Sequence, residues 1–283
     1  MKSHLYLASI LAVAAASPVV AQSDNAGMDS DYFSGPYVSA SVNGDFVNDG
    51  ASERIVFDPN GGTDFQTNLP TVTGGNAFSP GYCAGEALGS QRAQGCGDDD
   101  SAISGSIRAG FDTRVGNFAV AGLLVEGTLG GPTDYTTGFS TTPASYTFGR
   151  EVEGSAALRG RLGISPGDGR GLLYATGGVV YGKIDHDFAT TNTANAFEVV
   201  DGDDWQFGGQ IGMGGELMIT DNLSFGVEYL HTRYDDDDSY VAVTQGTAPA
   251  TNPFVLQGGS SNVRLSNTDL NIDSFRATVG FHF

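Results

Sequence analysis

The sequence predicts an all-β protein: an eight-stranded antiparallel up-and-down transmembrane β-barrel with short periplasmic turns and long extracellular loops. Three observations lead to this prediction. The composition, with 42 glycines among 283 residues and 16% charged side chains, favours a chain with many strands and turns. Eight segments alternate apolar and polar residues with a period of two, as strands with two unlike faces do. Their connections alternate between long and short, as they do in outer-membrane barrels.

The N-terminal segment has the features of an export signal. Lys2 precedes an apolar run from Leu5 to Ala16, and small residues lie just before Gln22, which suits cleavage by a signal peptidase. An ordinary buried helix is the alternative interpretation of this stretch. The chain then divides into a signal peptide (1–21), a periplasmic N-terminal segment (22–35), and the outer-membrane barrel (36–283) with its long first loop at 48–100.

The eight predicted strands follow one another with apolar side chains on every second position. They are residues 37–46, 102–112, 118–129, 152–164, 172–187, 205–219, 223–234 and 269–283. In the first four, the apolar positions are Val38, Ala40, Val42 and Phe46; Ile103, Ile107, Ala109 and Phe111; Ala121, Leu123 and Val125; and Val152, Ala156, Leu158, Leu162 and Ile164. In the last four, they are Tyr174, Val180 and Ile184; Phe207, Ile211, Met213, Leu217 and Ile219; Leu223, Phe225, Val227 and Tyr229; and Phe275, Ala277, Val279, Phe281 and Phe283.

The connections support a barrel with two unlike ends. Long segments occur at 48–100, 130–147, 190–203 and 235–267, and short turns occur between them at 114–117, 166–170 and 220–222. The apolar positions extend over about ten residues in each strand, which is enough for a tilted strand to cross a bilayer. A soluble lipocalin-like barrel is an alternative, since it is also eight-stranded and exported.

The polar positions of these strands carry charged residues in mid-strand. Eight strands enclose an interior just wide enough for side chains to fill, so we expect the charges to pair with one another and plug the lumen. A small porin-like diffusion channel, lined by the same charges, is the alternative. The predicted barrel-interior charge network comprises Arg108, Glu126, Glu153, Arg159, Arg161, Lys183, Asp185, Glu216, Glu228 and Arg276, and Asp112 shares their side of the strands.

Charge and cysteine content limit the possible partners. A net charge of −20 argues against binding to nucleic acid. Cys83 and Cys96 are the only cysteines, and in an exported chain such a pair is most simply a disulfide. We expect no cofactor and no firm metal site. The acidic run of Asp235, Asp236, Asp237 and Asp238 is either a solvated loop or a weak candidate site for divalent cations, which prefer oxygen ligands.

Two histidines are the candidates for catalysis. His186 lies between two aspartates, and His231 follows Glu228, but no motif supplies a nucleophile beside either ring. We therefore predict that the protein is not an enzyme.

Five segments carry a resemblance to a known family. They are FSGPYV at 33–38, LRGRLG at 158–163, LYATGG at 173–178, TDNLSFGVEY at 220–229 and FRATVGFHF at 275–283. They resemble the small outer-membrane β-barrel surface antigens and porin-like proteins of alphaproteobacteria and, more loosely, the OmpA-like transmembrane domain. The resemblance implies a location in the bacterial outer membrane, contact with its lipid and lipopolysaccharide, and recognition by the barrel-assembly machinery through Phe281 and Phe283. The long first loop with its cysteines departs from the family.

Overall fold

The computed structural model describes residues 32–48 and 53–283, and the predicted signal peptide lies outside them. The described residues form fourteen strands and one short 3-10 helix at Arg92–Gln94. The strands are β1 Gly35–Val47, β2 Ile55–Asp58, β3 Gly81–Ala84, β4 Ala102–Val115, β5 Ala119–Leu129, β6 Thr133–Phe139, β7 Ser145–Ile164, β8 Gly171–Thr190, β9 Ala196–Val200, β10 Asp203–Met218, β11 Leu223–Asp235, β12 Tyr240–Thr244, β13 Ser260–Leu265 and β14 Asp269–His282. No helix in the described part of the chain is long and apolar enough to cross a membrane.

Eight of these strands close into an antiparallel barrel. Their order around the barrel is β1, β4, β5, β7, β8, β10, β11 and β14, and β14 pairs with β1 to complete the ring. Neighbours in the barrel also follow one another along the chain, apart from short strands within the loops. The predicted up-and-down barrel of eight strands is therefore confirmed.

The barrel has two different ends. At one, which we call the turn end, the strands are joined by the short turns 116–118, 165–170 and 219–222, and β1 begins and β14 ends there. At the other, which we call the loop end, they are joined by the longer segments 48–101, 130–144, 191–202 and 236–268. Because successive strands run in opposite directions, the alternation of connection lengths places every short turn at one end of the barrel and every long segment at the other.

The outer wall of the barrel is apolar. Large apolar side chains on outward positions are more than half exposed, which a soluble protein avoids over so wide an area but a lipid-facing surface requires. Examples from the strands are Val42, Ile107, Leu123, Leu158, Leu162, Val179, Phe207, Ile211, Met213, Val227, Phe275 and Val279. On most strands these are the positions that the sequence pattern predicts.

The prediction was wrong for β8 and for the loop-end half of β7. In β8 both sides of the strand are apolar, so periodicity does not identify the outward one; Val180 and Ile184 are buried. In β7 a β-bulge intervenes, because Val152 pairs with Ile184 while Gly154 pairs with Lys183. A bulge adds one residue to a strand and so turns the following side chains to the opposite face. Val152 is therefore buried and not lipid-facing.

The four long segments fold together into a cap over the loop end. β2, β13, β12 and β9 form a four-stranded sheet in that order, while β6 and β3 extend the barrel sheet beyond β7. The cap has its own apolar core. Its buried residues are Ile55, Phe57, Leu69, Ala77, Phe78, Ala144, Tyr146, Phe148, Val241, Val243, Phe254, Val255, Val263 and Leu265. The sequence predicted irregular loops here, so this folded cap is a finding of the structure.

Candidate functional site

The centre of the lumen is occupied by three arginines and two glutamates from five strands, which we call the central layer. Arg108 and Glu126 are cross-strand neighbours on β4 and β5, and Glu228 and Arg276 are neighbours on β11 and β14. Across the lumen, Arg108 Nη2 donates to Glu228 Oε1 at 2.7 Å, and Arg276 Nη1 donates to Glu126 Oε1 at 2.6 Å. Arg159 on β7 donates to Glu126 Oε2 at 2.8 Å and to Glu228 Oε1 at 3.1 Å. The five side chains therefore tie opposite walls of the barrel together.

A second group of charges, the lower layer, lies towards the turn end. Arg161 Nε donates to Asp112 Oδ1 at 2.8 Å, and Arg161 Nη1 donates to Glu216 Oε2 at 3.0 Å. His282 Nε2 lies 2.9 Å from Glu216 Oε1. The guanidinium of Arg161 also lies 4.5 Å from the ring centre of Tyr37, within the range of a cation–π interaction. Tyr174 connects the two layers, because its hydroxyl donates to Glu228 Oε2 at 2.9 Å while its ring centre lies 5.3 Å from the Arg161 guanidinium.

Together the two layers are electrically balanced. They hold four arginines and four carboxylates, and each arginine forms an ion pair with at least one of these carboxylates. Arg159 is fully buried, at 0% exposure. Charges removed from water in this way are tolerated only when they are paired and hydrogen-bonded, and both conditions hold here.

Glycines on the inward positions provide room for the charged side chains. A Cβ atom at Gly122 would lie 1.9 Å from Asp112 Oδ1, where it would displace the carboxylate from Arg161. A Cβ atom at Gly214 would lie 2.5 Å from the Tyr174 hydroxyl, which links the layers. The glycines beside the mid-strand charges thus have a packing function.

Apolar groups lie on both sides of the charged layers. Towards the loop end, the buried cluster consists of Val152, Val180, Ile184, Tyr234, Leu270 and Ile272. Towards the turn end, it consists of Phe33, Val120, Leu172, Tyr174 and Met218. The charges are therefore enclosed between apolar side chains, which keeps water away from their hydrogen bonds and strengthens them.

Three residues of the predicted network lie on the outer side of the barrel wall. Lys183 Nζ is 2.7 Å from Glu153 Oε2, and this pair is partly exposed on the outside, near the loop end. Asp185 is two residues from Lys183 on the same strand and shares its side. Glu153 lies outside the lumen because of the bulge in β7. Lys183 and Asp185 were misplaced because β8 is apolar on both sides, so that the sequence pattern did not identify its outward side. Placing these three in the lumen was wrong. The other seven predicted residues meet in the lumen together with Asp112, as expected from its side of the strand, and the structure adds Tyr37, Tyr174, Ser224 and His282 to them.

A buried ion cluster joins the cap to the barrel. Arg150, on the loop-end extension of β7, donates from Nε to Asp134 Oδ2 at 2.9 Å and from Nη2 to Glu53 Oε1 at 3.2 Å, and its Nη1 lies 3.7 Å from Asp236 Oδ2. Both carboxylate oxygens of Asp236 lie 2.9 Å from His186 Nε2. Burial alone would lower the pKa of Arg150, but Asp134, Glu53 and Asp236 raise it above its ordinary value. Sequence reasoning missed this cluster, because the three carboxylates around Arg150 come from different long segments.

The predicted disulfide lies in the cap, and the acidic run lies at the junction of β11 and the cap. The Cys83–Cys96 disulfide is present, with 6.4 Å between the two Cα atoms. Of the acidic run, Asp236 is buried in the ion cluster, while Asp235, Asp237 and Asp238 are exposed. In the part of the chain that the structure describes, no three His, Cys, Asp or Glu side chains are grouped to hold a metal ion.

Aromatic residues on the outer wall lie near both ends of the barrel. Near the loop end, Trp205 is exposed and stacks on Tyr181, with 5.0 Å between ring centres. At the turn end, Phe281 and Phe283 are exposed and their rings meet edge to face at 5.1 Å. Aromatic girdles at the two interfaces are typical of transmembrane barrels.

Comparison with known proteins gives the same architecture and location. No family model matches the chain. It is 31% identical over 135 residues to the 31 kDa outer-membrane immunogenic proteins of Brucella melitensis biotype 1 and Brucella suis biovar 1. This match includes 45% of the chain and spans 52%, about half, of each relative.

A solved structure is similar in fold over almost the whole chain. It is the outer membrane protein OprG from Pseudomonas aeruginosa, with a TM-score of 0.50 and 11% sequence identity. The match covers 90% of this chain and 99% of OprG. At that identity the likeness shows the fold, a small outer-membrane barrel. Together with the Brucella proteins, it supports a small β-barrel located in the outer membrane.

Proposed function

We propose that the protein is an integral outer-membrane barrel with a structural and surface role, whose lumen is closed by its own side chains. The observation that carries the proposal is the pairing in the central layer, where every side chain is at most 4% exposed. A channel needs water beside its charges, whereas these charges contact one another. The apolar clusters on either side of the layers support the same closure.

In the proposed orientation the turn end faces the periplasm and the cap lies outside the cell. Residues 1–21 act as a cleaved signal peptide, and the barrel-assembly machinery recognises the last strand through Phe281 and Phe283. Lipid and lipopolysaccharide contact the apolar outer wall, and the exposed carboxylates of the cap attract divalent cations. The Brucella relatives are named as immunogenic. A cap with its own core and a disulfide gives this chain, too, a fixed surface that antibodies can reach.

We assign the chain no catalytic role and no cofactor. His231 Nδ1 lies 2.8 Å from Asp273 Oδ1, on the outer wall near the loop end, and Asp273 also accepts from Tyr229. A histidine oriented by a carboxylate is one part of a hydrolytic site, but no sequence motif supplies the nucleophile that the pair would activate. The pair serves instead as an interfacial hydrogen-bonding group.

Conductance in planar bilayers tests the closure of the lumen. We expect the purified protein to give no sustained openings, whereas a small diffusion channel would open reproducibly. The double variant Arg108→Ala/Glu126→Ala removes one cation and one carboxylate, so that it loosens the central layer without changing the net charge, and we expect it to conduct. The matched control is Lys183→Ala/Glu153→Ala, which removes an ion pair from the outer wall and is expected to stay closed. Sustained conductance of the unmodified protein would contradict the proposal.

A further inference from the structure

The lumen is covered at its turn end by the residues that precede β1. Phe33 is 1% exposed and packs into the apolar cluster of Val120, Leu172, Tyr174 and Met218. Its ring also meets the edge of the His282 ring, with 5.5 Å between their centres. Phe33 therefore fills the lumen below the lower layer, although it belongs to the segment before the barrel and not to a barrel strand.

Tyr32 attaches this segment to two of the turns. Its hydroxyl donates to Asp221 Oδ1 at 3.1 Å, in the turn between β10 and β11. The guanidinium of Arg170, from the turn between β7 and β8, lies 4.9 Å from the ring centre of Tyr32 and 3.3 Å from Asp221 Oδ1. Ion pairs and hydrogen bonds that are exposed to water contribute little. The outer attachment is therefore easily broken, in contrast to the buried layers above it.

The backbone of the segment also favours release. Phe33 has a φ of +58°, a left-handed conformation that a side chain other than glycine adopts at an energetic cost. Such a conformation persists only while surrounding contacts hold it, and here those contacts are the burial of one ring and the attachment of Tyr32. Gly35, the first residue of β1, has a φ of +120° and the rotational freedom of a hinge where the segment joins that strand.

We propose that residues 32–34 form a strap that closes the periplasmic end of the lumen and swings away at Gly35, the first residue of β1, while the barrel stays folded. The inference rests on the proposed function, in which the central layer blocks passage through the barrel. The strap adds a separate closure. When it opens, water reaches Arg161 and the lower layer from the turn end, but the central layer still separates the two sides of the membrane.

The rate at which a thiol beneath the strap reacts tests the proposal. Leu172→Cys places a thiol against Phe33, and the two native cysteines are already bonded to each other. The reagent is a charged, membrane-impermeant methanethiosulfonate applied to the full-length barrel in lipid. We expect Phe33→Ala to raise the reaction rate about tenfold or more, equivalent to about 1.4 kcal/mol in the equilibrium between closed and open strap.

Two further variants keep the outcome interpretable. Tyr32→Ala removes only the outer attachment and is expected to give a smaller rise in rate, even if Phe33→Ala folds poorly. Phe118→Ala removes an exposed ring from another turn at the same end and is expected to leave the rate unchanged. Equal rates of thiol reaction for the Tyr32, Phe33 and Phe118 variants would overturn the proposal of a strap.

Bilayer conductance of the same samples separates the strap from the closed lumen. If both proposals hold, the Phe33→Ala variant reacts quickly but does not conduct. Conductance of the unmodified protein would overturn the closed lumen, whatever the thiol rates. Conductance that appears only after Phe33→Ala would uphold the strap and show that the charged layers do not close the lumen by themselves.

Discussion

Loss of a carboxylate from the central layer is expected to destabilise the barrel more than loss of an arginine. The layer contains Arg108, Arg159 and Arg276 with Glu126 and Glu228. Glu126→Gln leaves three cations around one carboxylate, whereas Arg159→Met leaves two cations and two carboxylates. Removing one partner from a buried ion pair costs about 3–5 kcal/mol. Three cations around one carboxylate are unbalanced, so we expect the loss of stability to lie near the upper end of this range, about 5 kcal/mol, for Glu126→Gln. The balanced charges left by Arg159→Met should give a loss near the lower end, about 3 kcal/mol.

The free energy of unfolding can be measured by denaturant titration of the barrel in lipid vesicles, with the fluorescence of Trp205, the only tryptophan, as the signal. Lys183→Met is the matched control. The Lys183–Glu153 pair is partly exposed, at 30% and 47% of the two side chains, so its loss is expected to cost about 0–1 kcal/mol. Equal costs for all three variants, or a greater cost for Arg159→Met than for Glu126→Gln, would refute the charge-count reasoning.

Four other predictions concern the cap and the membrane interface. Arg150→Met should weaken the attachment of the cap by about 3–5 kcal/mol, seen as faster proteolysis of the cap while the heat-modifiable gel mobility of the barrel is retained. Cys83→Ser should cost the cap about 3 kcal/mol, measured by the same proteolysis assay under oxidising conditions. Trp205 fluorescence should be quenched more by lipids brominated near the headgroup than by lipids brominated at the chain end; the reverse order would contradict its interfacial position. Burial raises the pKa of Asp58, but backbone N–H groups lower it more, so it lies below its ordinary 3.8. This stabilisation is complete above about pH 4 and is lost as the pH falls further, and Asp58→Asn should abolish the loss of amide protection in its loop at low pH, with each exchange rate compared with the intrinsic rate at the same pH.

The barrel was predictable from the sequence because two independent signals agree. Alternation along β10 and β11 places Phe207 and Val227 on one side and Glu216 and Glu228 on the other, and the structure orients them in this way. The lengths of the connections then fix which strands are neighbours. Once the barrel closes, mid-strand charges such as Arg159 have no alternative to the lumen, so most of the network follows from the fold class alone.

The errors in the predicted side-chain directions have two causes, an extra residue in β7 and the apolar character of both sides of β8. Glu153 is the extra residue of the bulge in β7, and a shift of one position reverses every side chain beyond it. The local sequence marks this place only by the adjacent Gly154. In β8, Val179 and Val180 are both apolar although one is outward and the other buried. Periodicity cannot decide between two apolar sides.

The cap could not be predicted for a different reason, namely the distance between its partners along the chain. β2 pairs with β13, so that Ile55 lies opposite Leu265. Strands of four to six residues are too short to show a clear alternation, and their pairing depends on where the barrel places the loops. The same holds for Arg150, whose partners Glu53, Asp134 and Asp236 come from three loops.

The charge balance inside the barrel determines where the protein can interact. Four arginines and four carboxylates of the lumen neutralise one another, whereas the chain as a whole carries a net charge of −20. The acidic excess therefore lies outside the two layers, and the cap contributes exposed groups such as Asp237 and Asp238, next to the exposed Asp235 at the end of β11. Lumen groups that are already paired have little capacity to bind a ligand. In the proposed orientation we therefore expect any recognition at the cell surface to involve the cap, whose apolar core, disulfide and attachment through Arg150 hold those groups in one arrangement.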